Sequence, residues 1–542
     1  MPAPGELSVY GRDVAVRGLL ETVWRYGPGS PCDFFCTPDP VSGESRARDL
    51  LRQMLPTRPN RSARIHDASL LRDRFNEFDF AVWHDFDCDM QMAAAMRARL
   101  SGRLFPITSL VHVLSYAGLL GGWVLPLLLE RLYPCDAFIC PTESCKTALR
   151  NLLAHVSERF AQGFGCRREF PGELAVIPFR VDTELFRPGR RAEAREALGI
   201  PQDRFVIGWV GRISPVDKAD LVPLLRVFAG LRATEVTKPL LLLAGSGAGP
   251  FQHAIMRCAS DMGIAKDVQI ISPLPPEKRA DVHAALDVFT SPADNLQETA
   301  GLTPMEALAS GVPQVVSDWD GYRETVLHGK TGFLIPTLWA RCDAEIALRT
   351  GLYDGHNLLD HFALAQTVAM DVEAYRLALQ TLLDNEDLRL QMGDASRRRA
   401  SENFSGERIA GLHEDLWDHL CEVAGHTPFE PGLGKAHYDV PAYFDVFRSY
   451  PTKTIPGHAV LATASAGADV ARGASRLPFY YDVAAGFARA DLEVVLQIVT
   501  AEGAQSFEKL TRLVTGALRV SESSARGHLL WLLKYGMAEC RL

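Results

Sequence analysis

A chain of 542 residues has room, at roughly 150 residues per domain, for about three domains and several buried cores, which excludes a single small module. Lys and Arg total 57 against 66 Asp and Glu, a net charge of −9, so no global field draws in a polyanion and a primarily nucleic-acid-binding protein is disfavoured. Hydrophobic residues at 47% and charged residues at 23% match ordinary globular domains rather than a disordered chain.

The first residues, MPAPGELSVYGRDVAVRG, carry charges where an export signal needs an apolar run, so a cytoplasmic location is expected. The 11 cysteines are spread thinly. Their closest sets, Cys32/Cys36 and Cys135/Cys140/Cys145, lack the C-x2-C spacing and neighbouring histidines of a zinc site, so they read as reduced, buried small residues and no metal is expected.

From about residue 60 to 180, short apolar runs alternate with helical patterns, the signature of βαβ units around a parallel sheet. FDFAVWH, PITSLVHV and DAFICP read as strands, followed by the helix ESCKTALRNLLAHVSERF. Within this region Pro106 to Leu129 contains no Asp, Glu, Lys or Arg. Pro106, His112, Gly121-Gly122 and Pro126 break it into a buried strand, a loop and a short helix starting near Trp123, which is favoured over a membrane span; contact of the loop with a membrane surface stays open.

After Arg190 the pattern restarts, with RFVIGWVGR, PLLLLAGSG, DVQIISP, DVFTSP and PQVVSD as strands. The expected organisation is an α/β chain of two tandem Rossmann-like domains, 1–190 and 191–424, with a cleft between them and the last helix returning to the first domain. Arg341 to Leu364 reads as an insertion or lid, and 425–437 as a Gly/Pro linker. Residues 438–542 end in three helical stretches, the order of a helix-turn-helix or winged-helix-like domain. Arg519, Arg526 and Lys534 are few for tracking phosphates, so protein docking is favoured there over DNA.

Ser291 to Thr337 is the most informative string, with Glu298 and Glu306 separated by seven residues. Thr303-Pro304-Met305-Glu306 reads as a capping box that starts a helix at Thr303, to be stopped at Gly311. The amides from Thr299 to Thr303, with Gly301 permitting close approach, then form a cradle for a diphosphate, and both glutamates border one ligand. Upstream, Arg212 and Lys218 follow the strand VIGWV, at the carboxyl end of a parallel sheet where such folds bind ligands.

On five strings, TSLVHVLSY, VIPFRVDTELFRP, VGRISPVDK, VFTSPADNLQETAGLTPMEALASGVPQVVSD and SENFSGERI, the chain resembles the retaining, GT-B-fold family 4 ("group 1") glycosyltransferases over about residues 60 to 420. The resemblance implies transfer of a sugar from a nucleoside-diphosphate sugar, with no cofactor beyond that co-substrate and no metal. It implies that Arg212, Lys218 and the amides of Gly301, Leu302 and Thr303 hold the diphosphate and that Glu306 holds the ribose. Glu298 would grip the transferred sugar, His112 would lie beside the reacting centre, Leu274 would line the base, and Gly11 would supply an N-terminal loop facing the phosphates. Phe179-Arg180 departs from the family's Asn-Gly before Val-Asp, in the half expected to select the acceptor, which can be a saccharide, lipid or protein. The alternatives are a phosphorylase-like relative and a non-catalytic scaffold or regulator whose C-terminal domain binds protein or DNA.

Overall fold

The computed structural model describes residues 11–27, 32–36, 46–55, 63–68, 70–86, 90–115, 124, 127–128, 130–216, 218–234, 239–247, 249–342, 358–431, 448–449, 451–478 and 487–542. The chain divides into two compact units, one of residues 1–28 and 80–435, the other of residues 29–79 and 436–542.

The larger unit opens with helix α1 (Gly11–Tyr26). A four-stranded parallel sheet follows, in the order β1 (Trp83–Asp85), β2 (Ile107–Leu110), β3 (Ala137–Cys140) and, after helix α2 (Glu143–Phe164), β4 (Glu173–Val176). ITSL and AFIC are buried at every position, which is why they read as unbroken apolar runs rather than alternating ones. Thr142 starts α2 by accepting a hydrogen bond from the Cys145 amide, and Gly165, at φ 71°, ends it.

A buried ion pair ties this half together. The Arg97 guanidinium donates to both carboxylate oxygens of Asp136, each at 2.7 Å, and to the Phe105 carbonyl at 2.6 Å. Asp136 also accepts from the amides of Ile107 (2.9 Å) and Tyr133 (2.8 Å), so both carboxylate oxygens and both terminal guanidinium nitrogens of the pair are partnered.

The second sheet has six parallel strands: β5 (Phe205–Val210), β6 (Pro239–Ala244), β7 (Val268–Ile271), β8 (Val288–Ser291), β9 (Gln314–Ser317) and β10 (Gly332–Ile335). Their order across the sheet is β10-β9-β8-β5-β6-β7. Strands β5 to β7 are laid down in one direction and β8 to β10 in the other, which places a switch point, and hence a crevice, at the carboxyl ends of β5 and β8. Helices α3 (Arg279–Ala285) and α4 (Leu302–Ala309) flank β8 in the chain. Helix α5 (Gly406–His426) returns to the first sheet: Ile409, Leu416 and Leu420 share a core with Leu19, Leu110, Ala137, Ile139 and Ala175.

Three expectations change. The expected strand FDFAVWH shrinks to Trp83–Asp85, because residues up to 79 belong to the other compact unit. The 1–190 domain is correspondingly interrupted by residues 29–79, a segment whose composition differs too little from its neighbours to mark a boundary. Gly11 is the first residue of α1 rather than part of a loop. The helix expected near Trp123 and most of the Arg341 to Leu364 segment lie outside the described residues, apart from a helix at Leu358–Ala365.

In the smaller unit, Cys32–Cys36 and Ala63–Asp67 pair in parallel. The helical C-terminal region is present as helices at Arg489–Glu502, Phe507–Leu518 and Glu522–Lys534 around one core, joined by an antiparallel sheet of Gln505–Ser506, Val460–Thr463 and Ala538–Arg541. All cysteines among the described residues are free thiols, and no described helix is long and apolar enough to cross a membrane.

Removing one partner of the Arg97–Asp136 pair leaves a buried charge uncompensated. Asp136→Ala should destabilise the first half by about 3–5 kcal/mol in urea unfolding. Glu158→Ala, which removes an exposed pair with Arg167, should leave the midpoint nearly unmoved.

Candidate active site

The site is built on the loops that leave β5 and β8. Past β5, the Gly211 amide donates to Ala244 at 3.0 Å and the Ile213 amide to Ser246 at 2.6 Å, so the loops after β5 and β6 are laced together. A Cβ on Gly245, whose φ is +158°, would overlap the Gly211 carbonyl; only glycine allows this approach. The Lys218 amide donates back to Ser214 at 3.1 Å, folding the loop so that Lys218 faces the crevice.

The loop after β8 meets it there. Asn295 donates to the Val216 carbonyl at 2.7 Å and its own carbonyl accepts from the Trp319 indole at 3.1 Å. Lys218 Nζ lies 3.2 Å from Glu298 Oε2, while Glu298 Oε1 accepts from the Gly301 amide at 3.0 Å. Burial alone would raise the Glu298 carboxyl; the Lys218 ammonium and the Gly301 and Ala300 amides outweigh it and hold the group below the usual glutamate range. Glu298 is thus ionised, fixed and oriented.

The start of α4 differs from the capping-box expectation. The N-cap lies two residues earlier, at Gly301 with φ 81° and no side-chain cap, and the helix begins at Leu302. A Cβ on Gly301 would overlap the Tyr322 ring, so this glycine serves the turn and its packing. Its amide is taken by Glu298 rather than left for a ligand. Pro304, at the third helical position, has no N–H, so Leu302 and Thr303 supply the amides that no intrahelical carbonyl can reach. Gly311, at φ 71°, follows the helix end as expected.

Glu306 does not reach back to Thr303. Its carboxylate is clamped by Arg279, at 2.6 Å on Oε1 and 3.0 Å on Oε2, and by His283 Nε2 at 3.0 Å. Arg279 and His283 lie four residues apart on α3 and face α4 together. Glu298 and Glu306 are therefore held by separate partners. Leu274, after β7, donates its amide to Gly245 at 3.0 Å and packs half-buried against the second-half core.

The first half contributes through hydrogen bonds that converge on the same loop. Thr299 Oγ1 donates to the His112 carbonyl at 2.7 Å, and Thr142 Oγ1 donates to the Thr299 carbonyl at 2.9 Å. Glu324 accepts from the first two amides of α2, those of Glu143 (2.8 Å) and Ser144 (3.0 Å), placing a carboxylate on the positive end of a 22-residue helix. The His112 ring donates from Nε2 to the Phe86 carbonyl at 2.8 Å and stacks on Phe179 at 6.0 Å between centroids. The departure at Phe179-Arg180 thus has a structural use, because Phe179 supports His112 and Arg180 pairs with Glu21 of α1.

Two further acids lie in the loops around the crevice, Asp294 after β8 and Asp320 after β9. The Asp294 carboxyl is pushed up to about 8 by burial, with the Asp220 amide opposing and the Asp220 charge adding to the rise; its Oδ1 is buried with no hydrogen-bond partner among the described residues. The Asp320 carboxyl is raised well above the aspartate range by burial and then by Glu298 and Glu324. Neither acid belongs to a spacing pattern, since their roles depend on which loops the switch point brings together.

The sign of the Asp294 effect is testable. The folded chain retains a proton that an unfolded aspartate releases near pH 4. Ionisation of the unfolded chain therefore lowers stability progressively as pH rises from about 4 towards the folded value of about 8. Asp294→Asn should raise Tm over the unmodified chain by a margin that grows from pH 4 to pH 8; an equal margin at both would contradict this.

Residues 190–346 match the family model described as "Glycosyl transferases group 1". A D-inositol 3-phosphate glycosyltransferase of Rhodococcus jostii is 32% identical over 268 residues, 48% of this chain and 51% of that protein. One of Mycobacteroides abscessus is 29% identical over 48% of this chain and 58% of its own length. The chain thus spans about half the length of the curated relatives it matches. Anabaena Alr3699/HepE, solved with UDP and glucose, superposes with a TM-score of 0.49 at 15% identity, over 77% of this chain and 97% of that one. With two parallel sheets and a helix, α5, that returns to the first of them, the chain has an α/β architecture, and its residues 190–346 are similar to the glycosyl transferases group 1 family.

Proposed function

We propose that this chain transfers a sugar, with retention and without a metal, from a nucleoside-diphosphate sugar to an acceptor bound on the side of the first sheet. The observation that carries the reading is the meeting of Lys218, Glu298 and the start of α4 at the switch-point crevice, with His112 tied to the same loop through Thr299.

Breaking the bond from the anomeric carbon to phosphate oxygen builds positive charge on the sugar and negative charge on the departing diphosphate. In this reading Arg212, Lys218 and the amides of Leu302 and Thr303 neutralise the diphosphate, all set before the reaction begins. Gly301 acts one step removed, orienting Glu298 through its amide. Glu298 accepts from hydroxyls of the transferred sugar, and its link to Lys218 couples sugar and phosphate recognition. Glu306 keeps acceptor capacity on Oε1 for a ribose hydroxyl while Arg279 and His283 hold it still. His112 borders the anomeric carbon, Leu274 the base, and the start of α1 at Gly11 the phosphate side. The acceptor attacks from the face the diphosphate leaves, and closure of the two halves excludes water.

A panel of nucleoside diphosphates and their sugar conjugates, read by thermal shift and slow hydrolysis, tests this. One nucleoside diphosphate should raise Tm, by about 2.7 kcal/mol of stabilisation at a hundredfold excess over Kd. Arg212→Ala should weaken that binding at least about tenfold, and excess EDTA should leave turnover unchanged. No stabilisation by any member would end the proposal.

A further inference from the structure

Asp320 adopts φ 44°, a left-handed backbone that non-glycine residues enter only where surrounding contacts impose it. The contacts are present. The Asp320 carbonyl accepts from Ser144 Oγ at 3.2 Å, and at the next residue a Cβ on Gly321 would lie 2.7 Å from Ala300 Cα and 2.8 Å from Thr142 Cγ2. The turn is therefore wedged between the loop that carries Glu298 and the first turn of α2.

Its side chain is accounted for only in part: the Gly321 amide reaches the carboxyl. Asp320 Oδ2 is buried and has no hydrogen-bond partner among the described residues. Leaving an acceptor unpaired in a buried site is unfavourable unless something else fills the position. Gln297 Oε1, from the Glu298 loop, is likewise buried and unpartnered. Burial and the neighbouring Glu298 charge raise the Asp320 carboxyl well above the aspartate range while Lys218 holds Glu298 below the glutamate range, so the pair presents a ligand with two carboxyls of opposite proton preference. A sugar presents hydroxyls that both donate and accept.

We propose that Asp320 is a ligand-contacting residue of the sugar end of the pocket, hydrogen-bonding through Oδ2 a hydroxyl of the transferred sugar next to the one held by Glu298. The assignment rests on the donor reading given above. It makes Asp320 a determinant of which sugar is accepted, because an unmatched hydroxyl at that position leaves the carboxyl buried and unpaired.

Two substitutions separate recognition from folding. Asp320→Gly suits the left-handed backbone and deletes the carboxyl; Asp320→Asn tolerates the backbone and reproduces a neutral group that donates and accepts. The readout, by calorimetry, is the ratio of Kd for UDP, GDP or ADP to Kd for its glucose, galactose, mannose or N-acetylglucosamine conjugate. For the conjugate that binds best, Asp320→Gly should lower this ratio about tenfold with the bare diphosphate unaffected, and Asp320→Asn should keep it within about twofold. An unchanged ratio in Asp320→Gly, or equal weakening of diphosphate and conjugate, would overturn the Asp320 assignment alone. Failure of the unmodified protein to bind any of the three diphosphates would instead overturn the donor reading, and this assignment with it.

Discussion

The contact between Lys218 and Glu298 organises the second half of this protein. It exists because β5 and β8 are neighbours in the sheet although 77 residues separate Val210 from Val288, so their loops leave the same edge together. A lysine and a glutamate in those loops pair in a largely buried position, and the lysine holds the Glu298 carboxyl below the usual glutamate range. The Gly301 amide supplies the second anchor, and the same residue sets the start of α4. One carboxylate thereby couples the β5 loop, the β8 loop and a helix N-terminus.

The seam to the first half depends on the same loop. Thr299, adjacent to Glu298, exchanges side-chain and backbone hydrogen bonds with His112 and Thr142, and Glu324 closes over the start of α2. Geometry at Glu298 and geometry at the seam are therefore linked through a single peptide unit.

Much of this was legible in the residues. Strands buried on both faces give continuous apolar runs, so VIGWV, LLLLA and VFTS could be placed without ambiguity, and the loops after them followed. The start of α4 departs from the capping-box expectation because Thr-Pro-Met-Glu satisfies a local capping rule, while in the fold the Glu306 carboxylate is held by Arg279 and His283 of α3. Arg279 and His283, four apart on one helix, were a signal available in the sequence. Asp294 and Asp320 had none, because their burial comes from strand order. The separation of residues 29–79 was hidden for a related reason: its strands pair with each other, and no change in composition announces it.

The central claim is that the crevice at the carboxyl ends of β5 and β8 receives the diphosphate of an activated sugar. A crystal structure with the nucleoside diphosphate that binds tightest measures this directly. The account predicts both phosphates between Arg212, Lys218 and the Leu302 and Thr303 amides, with Glu298 facing the vacated sugar position. Phosphates bound away from α4, or a crevice closed by the protein's own side chains with ligand elsewhere, would contradict it.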